Sequence, residues 1–200
     1  MLMGAAVSWC EQTFQDAALV PVASRELFAD KTGQAARAAR DLGLAHRLLN
    51  FTALNTTPLG ATIAAPKAGT FELFCRDGLK YHAQIRRPAL LRTLAEIERQ
   101  RRTLARAKPA TDAGKLLVRE LDLAARMAAQ SVLIMLWQKA DATGKIAEAK
   151  QRARQLVRDL KQLDRDYTRY WPTRNKATPK KSSAFLRWRI DELKAWLAKA

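Results

Sequence analysis

The 200-residue sequence predicts a mainly α protein: a helical bundle of three to four long helices, preceded by a short strand-and-helix segment at the amino terminus. Three observations carry that expectation. From residue 88 onward, apolar side chains recur at steps of three and four, the spacing of one helix face. A composition of 48% hydrophobic and 28% charged residues is globular, with enough apolar surface for a core. Pro88, Pro109 and Gly144 punctuate the periodic stretches where helices would begin or end.

Taken in order, residues 4–11 start as an apolar run and end by presenting Trp9 and Glu11. In a strand, residues two apart share a face, so both side chains would stand on one side of a sheet or barrel mouth. An indole covers the apolar face of a pyranose ring, and a carboxylate accepts hydrogen bonds from its hydroxyls. On spacing alone, a core tryptophan beside a surface glutamate is the more ordinary reading.

Residues 16–30 read as a loop and short helix, with Pro21 in the first turn. Thr32 caps a further helix to about Leu49, with Ala35, Ala38, Leu42, Ala45 and Leu49 along one stripe. Residues 50–66 are loop-like, and the segment 55–60 carries turn residues. Alternation at residues 70–74 suggests a short strand before the Asp77-Gly78 turn. The boundary is placed between residues 66 and 77, giving a first region at 1–66 and a basic helical region at 67–200.

Four helices follow. Leu90, Leu94, Ile97 and Leu104 mark the first, which starts near Pro88 and stops before Pro109. Thr111 or Asp112 caps the second, with Leu117, Leu121, Ala124, Ala128, Ser131 and Met135 in a stripe that ends at Thr143-Gly144. The third carries the longest stripe, Ile146, Ala149, Ala153, Leu156, Leu160, Leu163, Tyr167 and Tyr170. The last, capped by Ser182 or Ser183, presents Leu186, Ile190, Leu193 and Leu197, with Trp188 and Trp196 near one another on an adjoining face. The isolated glycines, Gly33, Gly43, Gly60, Gly114 and Gly144 among them, read as caps and turns.

The net charge of +17 is unevenly placed, because residues 1–66 hold 5 basic and 5 acidic side chains and the remainder 31 basic and 14 acidic. A polyanion such as nucleic acid is one reading of that excess. The other is a solvated helical surface, since acidic residues are interspersed and no basic run reaches five. Tyr167, Tyr170 and Trp171 beside Arg169, Arg174 and Lys176 read either as a stacking platform or as the plugged end of a helix.

Cys10, Cys75, His46 and His82 have no ligand-like spacing, and no phosphate loop or Ser-His-Asp order occurs, so neither metal nor cofactor is expected. Met1 to Val7 lacks the basic start of a signal peptide, and no window approaches a membrane span. A soluble chain without a membrane partner follows, and the cysteine usage points to a cytoplasmic or otherwise thiol-neutral setting, which leaves localisation open.

Gly4-x4-Trp9-x-Glu11, continued by Phe14-Gln15-Asp16-Ala17-Ala18-Leu19-Val20-Pro21 and Ser24-Arg25-Glu26-Leu27-Phe28-Ala29-Asp30, resembles the end of the catalytic barrel of glycoside hydrolase family 20. These are the β-N-acetylhexosaminidases. Tyr167-Thr168-Arg169-Tyr170-Trp171-Pro172-Thr173-Arg174-Asn175-Lys176 resembles the helical region that follows the barrel in some members. The resemblance implies that residues 1–66 are a remnant of a (β/α)8 barrel, its last strand and closing helix. It implies substrate-binding roles for Trp9, which would wall the sugar subsite, and Glu11, which would bind ring hydroxyls of a terminal N-acetylhexosamine. The family uses substrate-assisted retaining hydrolysis, in which an adjacent Asp-Glu pair on an earlier strand orients the acetamido group and protonates the leaving oxygen.

The only adjacent Asp-Glu here is Asp191-Glu192, in the last helical pattern. The expectation is therefore a carboxy-terminal segment, inactive alone, with no catalytic residue of its own. Its partners would be a glycan, through the complete enzyme, and the rest of the barrel or another protein. Nucleic acid binding by the basic helices is the alternative.

Overall fold

The computed structural model describes residues 19–51, 57–64, 84–175, 178 and 183–200. Among them every regular element is helical, and no barrel strand is present. The strands expected at residues 4–11 and 70–74, and the boundary expected between residues 66 and 77, lie outside the described residues. The helices are α1 (Leu19–Glu26), α2 (Gln34–Leu44), α3 (Pro58–Ala64), α4 (Arg87–Leu104), α5 (Asp112–Ala142), α6 (Ile146–Tyr170) and α7 (Ala184–Lys199). Short 3-10 turns follow α2 at Ala45–Leu49 and α6 at Trp171–Thr173. Four of the helices are long, and none is long and apolar enough to cross a membrane.

The chain divides into two compact units, Met1–Leu44 with Glu98–Asp122, and Ala45–Ile97 with Leu123–Ala200. In the first, α1 packs against α2. Its core is small: Phe28, Ala35, Ala36, Ala38 and Leu104 are buried, with Val20, Leu117 and Leu121 packed partly exposed against them. Of the two expected candidates, Thr111 and Asp112, Thr111 caps α5, its hydroxyl accepting the Gly114 N–H at 3.1 Å. Gly114 departs from the cap-and-turn reading. It lies inside the first turn of α5, where a Cβ would stand 2.2 Å from the Phe28 carbonyl oxygen.

In the second unit, α7 packs against both α6 and α3. The α6 stripe forms as its periodicity demands: Ala149, Ala153, Leu156, Leu160, Leu163 and Tyr170 are buried, while Ile146 at the open end is 41% exposed. Leu186, Ile190 and Leu193 supply the buried face of α7. The turn between α5 and α6 closes by the expected glycine. Gly144 has φ +70°, and the Lys145 and Gly144 amides donate back to the Ala140 and Asp141 carbonyls at 2.9 and 3.0 Å.

Two further expectations need correction. Residues 50–66 are not all loop, because residues 58–64 form α3. Pro58 supplies a first-turn residue and the Thr57 hydroxyl accepts the Gly60 N–H at 3.1 Å. So short a helix has little stability alone. Burial of Leu59, Ala61 and Ile63 holds it, together with bonds from Ser131 Oγ to the Leu59 carbonyl and from Arg189 to the Thr62 carbonyl, each 2.6 Å. In α5, Ala124 is exposed, and Leu123, Ala125, Ala129, Val132 and Leu136 are buried instead. Ser131 and Met135 are buried as expected, so this stretch is covered on more than one side and no single stripe describes it.

Gly114→Ala is expected to destabilise the protein by about 1–3 kcal/mol, since the added methyl meets backbone rather than a movable side chain. Gly43→Ala, in α2 with nothing within 4 Å of its Cβ position, should be neutral or stabilising by up to about 1 kcal/mol. Urea midpoints of the two variants check the contrast, and equal shifts would contradict the close approach.

Candidate functional site

Trp9 and Glu11, the expected substrate-binding residues, lie outside the described residues, as do Cys10, Cys75 and His82. His46 stands in the 3-10 turn after α2. No group of three or more His, Cys, Asp or Glu able to hold a metal occurs among the described residues.

The most developed polar arrangement that is described centres on Asp30, in the turn between α1 and α2. The chain leaves α1 through Ala29, which has φ +46° and whose carbonyl accepts the Ala110 N–H at 3.0 Å. A left-handed alanine is held only where its surroundings fix it. The next residue is 1% exposed, yet its carboxylate is fully occupied. Oδ1 accepts from the Thr32 N–H at 3.0 Å, the Thr32 hydroxyl at 2.7 Å and the Lys108 N–H at 3.1 Å, and Oδ2 accepts from the Ala35 N–H at 3.0 Å.

Burial is the largest single influence on this carboxyl and by itself would raise its pKa. The bonds from Ala35, the Thr32 hydroxyl, Lys108 and the Thr32 amide together outweigh it and hold the pKa below the ordinary aspartate value. Thr32, expected as the cap of α2, therefore shares that role, its hydroxyl accepting the Gln34 N–H at 3.3 Å while Asp30 takes Ala35. The signal lay in the order Asp-x-Thr-Gly ahead of an alanine-rich periodic stretch.

A cleft of about 640 Å³ adjoins this turn. Its walls are the apolar Val20, Pro21, Ala29 and Ala110, with Arg25, Lys31 and Arg37 among the polar residues that line it. Its polar groups are largely committed. Arg25 pairs with Glu26, Arg37 donates to the Thr32 carbonyl at 2.6 Å, and Ser24 donates to the Val20 carbonyl at 2.8 Å. With Asp30 ionised and its carboxylate accepting four bonds, the described lining residues do not pair a proton donor with a nucleophile.

The aromatic residues at the end of α6 pack on one another. Tyr167 stacks on Trp171 with ring centroids 5.2 Å apart, and Tyr170 is buried. Of the two sequence readings, this is the plugged helix end. Trp188 and Trp196 separate: Trp196 meets Trp137 edge-on at 5.6 Å, whereas Trp188 is 47% exposed. Asp191 is exposed on α7, and Glu192 pairs with Arg189 of the same helix at 2.6 Å.

No protein-family model, no curated protein and no solved structure matches this chain.

Asp30→Asn is expected to destabilise by about 2–4 kcal/mol at neutral pH, because an amide cannot accept at both ends of the side chain. A carboxyl whose folded pKa lies below its unfolded value of about 3.9 contributes stability above that value and loses it as pH falls through the folded pKa. The gap between wild type and Asp30→Asn in urea denaturation should thus narrow from about pH 4 downward. A gap unchanged between pH 7 and about pH 2.5 would show that the ionised carboxylate is not its source.

Proposed function

We propose that these residues form the carboxy-terminal segment of a glycoside hydrolase related to the family 20 β-N-acetylhexosaminidases. The observation that carries the reading is Trp9-x-Glu11, two residues apart after an apolar run and upstream of α1 and the Asp30 turn in the sequence. In this reading residues 4–11 are the last barrel strand and α2 is the closing helix. The indole of Trp9 covers the apolar face of the terminal N-acetylhexosamine, and the Glu11 carboxylate accepts from its hydroxyls.

The proton donor and the acetamido-orienting carboxylate come from residues beyond this sequence. Its one adjacent Asp-Glu is accounted for on α7, where Glu192 serves an ion pair. The helical order after residue 18 is in keeping with a strand followed by a covering helix.

Calorimetric titration with N-acetylglucosamine is expected to show binding that Trp9→Ala or Glu11→Ala removes, with no hydrolysis of a chromogenic N-acetylglucosaminide by this chain alone. Binding unaffected by both substitutions would refute the assignment of the subsite to Trp9 and Glu11.

A further inference from the structure

The charges of α6 are sorted by face. Lys150, Arg154, Arg158, Lys161, Arg165 and Arg169 follow one another at steps of 4, 4, 3, 4 and 4. At about 100° per residue they fall within an arc of about 100°, opposite the buried alanine and leucine stripe. The row runs about 28 Å along the helix at about 1.5 Å per residue. Five of the six are exposed and Lys150 is half-buried.

No acidic residue of α6 shares that arc. Its carboxylates flank the buried face and are occupied there: Glu148 by Arg87 and Arg152, Asp164 by Arg187, Asp166 by Arg126, and Asp159 by the Gln155 amide. Among the described residues none of the six cations has a carboxylate partner, and Arg158 and Arg165 donate only to Gln155 and Gln162. Like charges three or four apart on a helix repel one another, and this row contains five such steps. Folding leaves that repulsion in place, and an external polyanion would relieve it.

We propose that this face of α6 binds the phosphate backbone of duplex nucleic acid without reading sequence. Charge complementarity selects the occupant. The row is straight and regular, with a cation every 4.5–6 Å or so, which suits a polymer carrying a phosphate for every ~3.4 Å of each strand. Four of the six are arginines, whose planar forks match phosphate oxygens. The remaining residues of the arc are Ala147, Gln151 and Thr168, which supply no apolar anchor for a lipid surface and no aromatic platform for unpaired bases. The inference stands independently of the glycosidase reading.

The test is fluorescence anisotropy of a labelled duplex DNA of about 20 base pairs titrated with the 200-residue chain between about 50 and 200 mM salt. The expected slope of log K against log salt is about −5, and Arg158→Gln or Arg165→Gln each reduces its magnitude by about 1. Combining Arg154→Gln, Arg158→Gln and Arg165→Gln should weaken binding at least tenfold at the lower salt. Because these substitutions lie on the solvent face, circular dichroism should report an unchanged helix content and a Tm no lower than wild type.

Absence of duplex binding at about 50 mM salt, or duplex binding that the triple variant leaves intact, overturns the proposal. So does binding to a sulfated polysaccharide or to phosphatidylserine vesicles with the duplex left free.

Discussion

Burial of the α6 stripe is the constraint on which the second unit depends. A helix that presents Ala149, Ala153, Leu156, Leu160 and Leu163 on one side must cover that side, and α7 packs against α6 with its own Leu186, Ile190 and Leu193. Once that face is fixed, every other position of α6 has its direction set. Its carboxylates fall on the flanks, where Asp164 meets Arg187 of α7, Asp166 meets Arg126 of α5 and Glu148 meets Arg87 of α4. These pairs are partly exposed and individually contribute little. Their effect is on arrangement: they draw the acidic residues inward and leave the outer face to lysine and arginine. Arg152 beside Glu148 also holds that carboxyl below its ordinary range.

The first unit is organised differently, around polar satisfaction rather than apolar volume. Its buried side chains are mostly alanines beside Phe28 and Leu104, which permits close approach but yields a modest core. Asp30 compensates by collecting four hydrogen bonds, one of them from Lys108, 78 residues away. The Phe28 carbonyl approaches Gly114 at a distance that no side chain would allow. A left-handed Ala29 lies between the two features, and the bond from Ala110 to its carbonyl helps to fix it. Both arrangements bind one short segment, residues 28–30, to the start of α5 and the loop before it.

The candidate chemistry is correspondingly divided. The described polar clusters serve the fold, since the Asp30 carboxylate is saturated and the α6 carboxylates are paired. The aromatic group of Tyr167, Tyr170 and Trp171, for which the sequence also offered a ligand-stacking reading, makes contacts among its own rings. What remains open to solvent is a face of cations. Counting runs along the sequence hides it, because apolar, amide and acidic residues separate the cations, and only projection on a helix brings them into one row.

The sequence by itself determined the features that depend on neighbours a few residues away. The long helices, the Thr111 cap, the Gly144 turn and the buried stripes of α6 and α7 were legible, because capping, glycine conformation and 3.6-residue periodicity are local properties. Tertiary structure decided the rest. α3 exists because Ser131 and Arg189, distant in sequence, take its carbonyls and because its apolar residues find cover. Ala124 is exposed and Leu123 buried because the surroundings of α5, not its own period, set which sides are covered. Asp30 ties its turn to the loop before α5 because Lys108, 78 residues away, donates to it as well. Burial and hydrogen-bond satisfaction are properties of what comes together, and a linear sequence carries no record of the distance at which the partners meet.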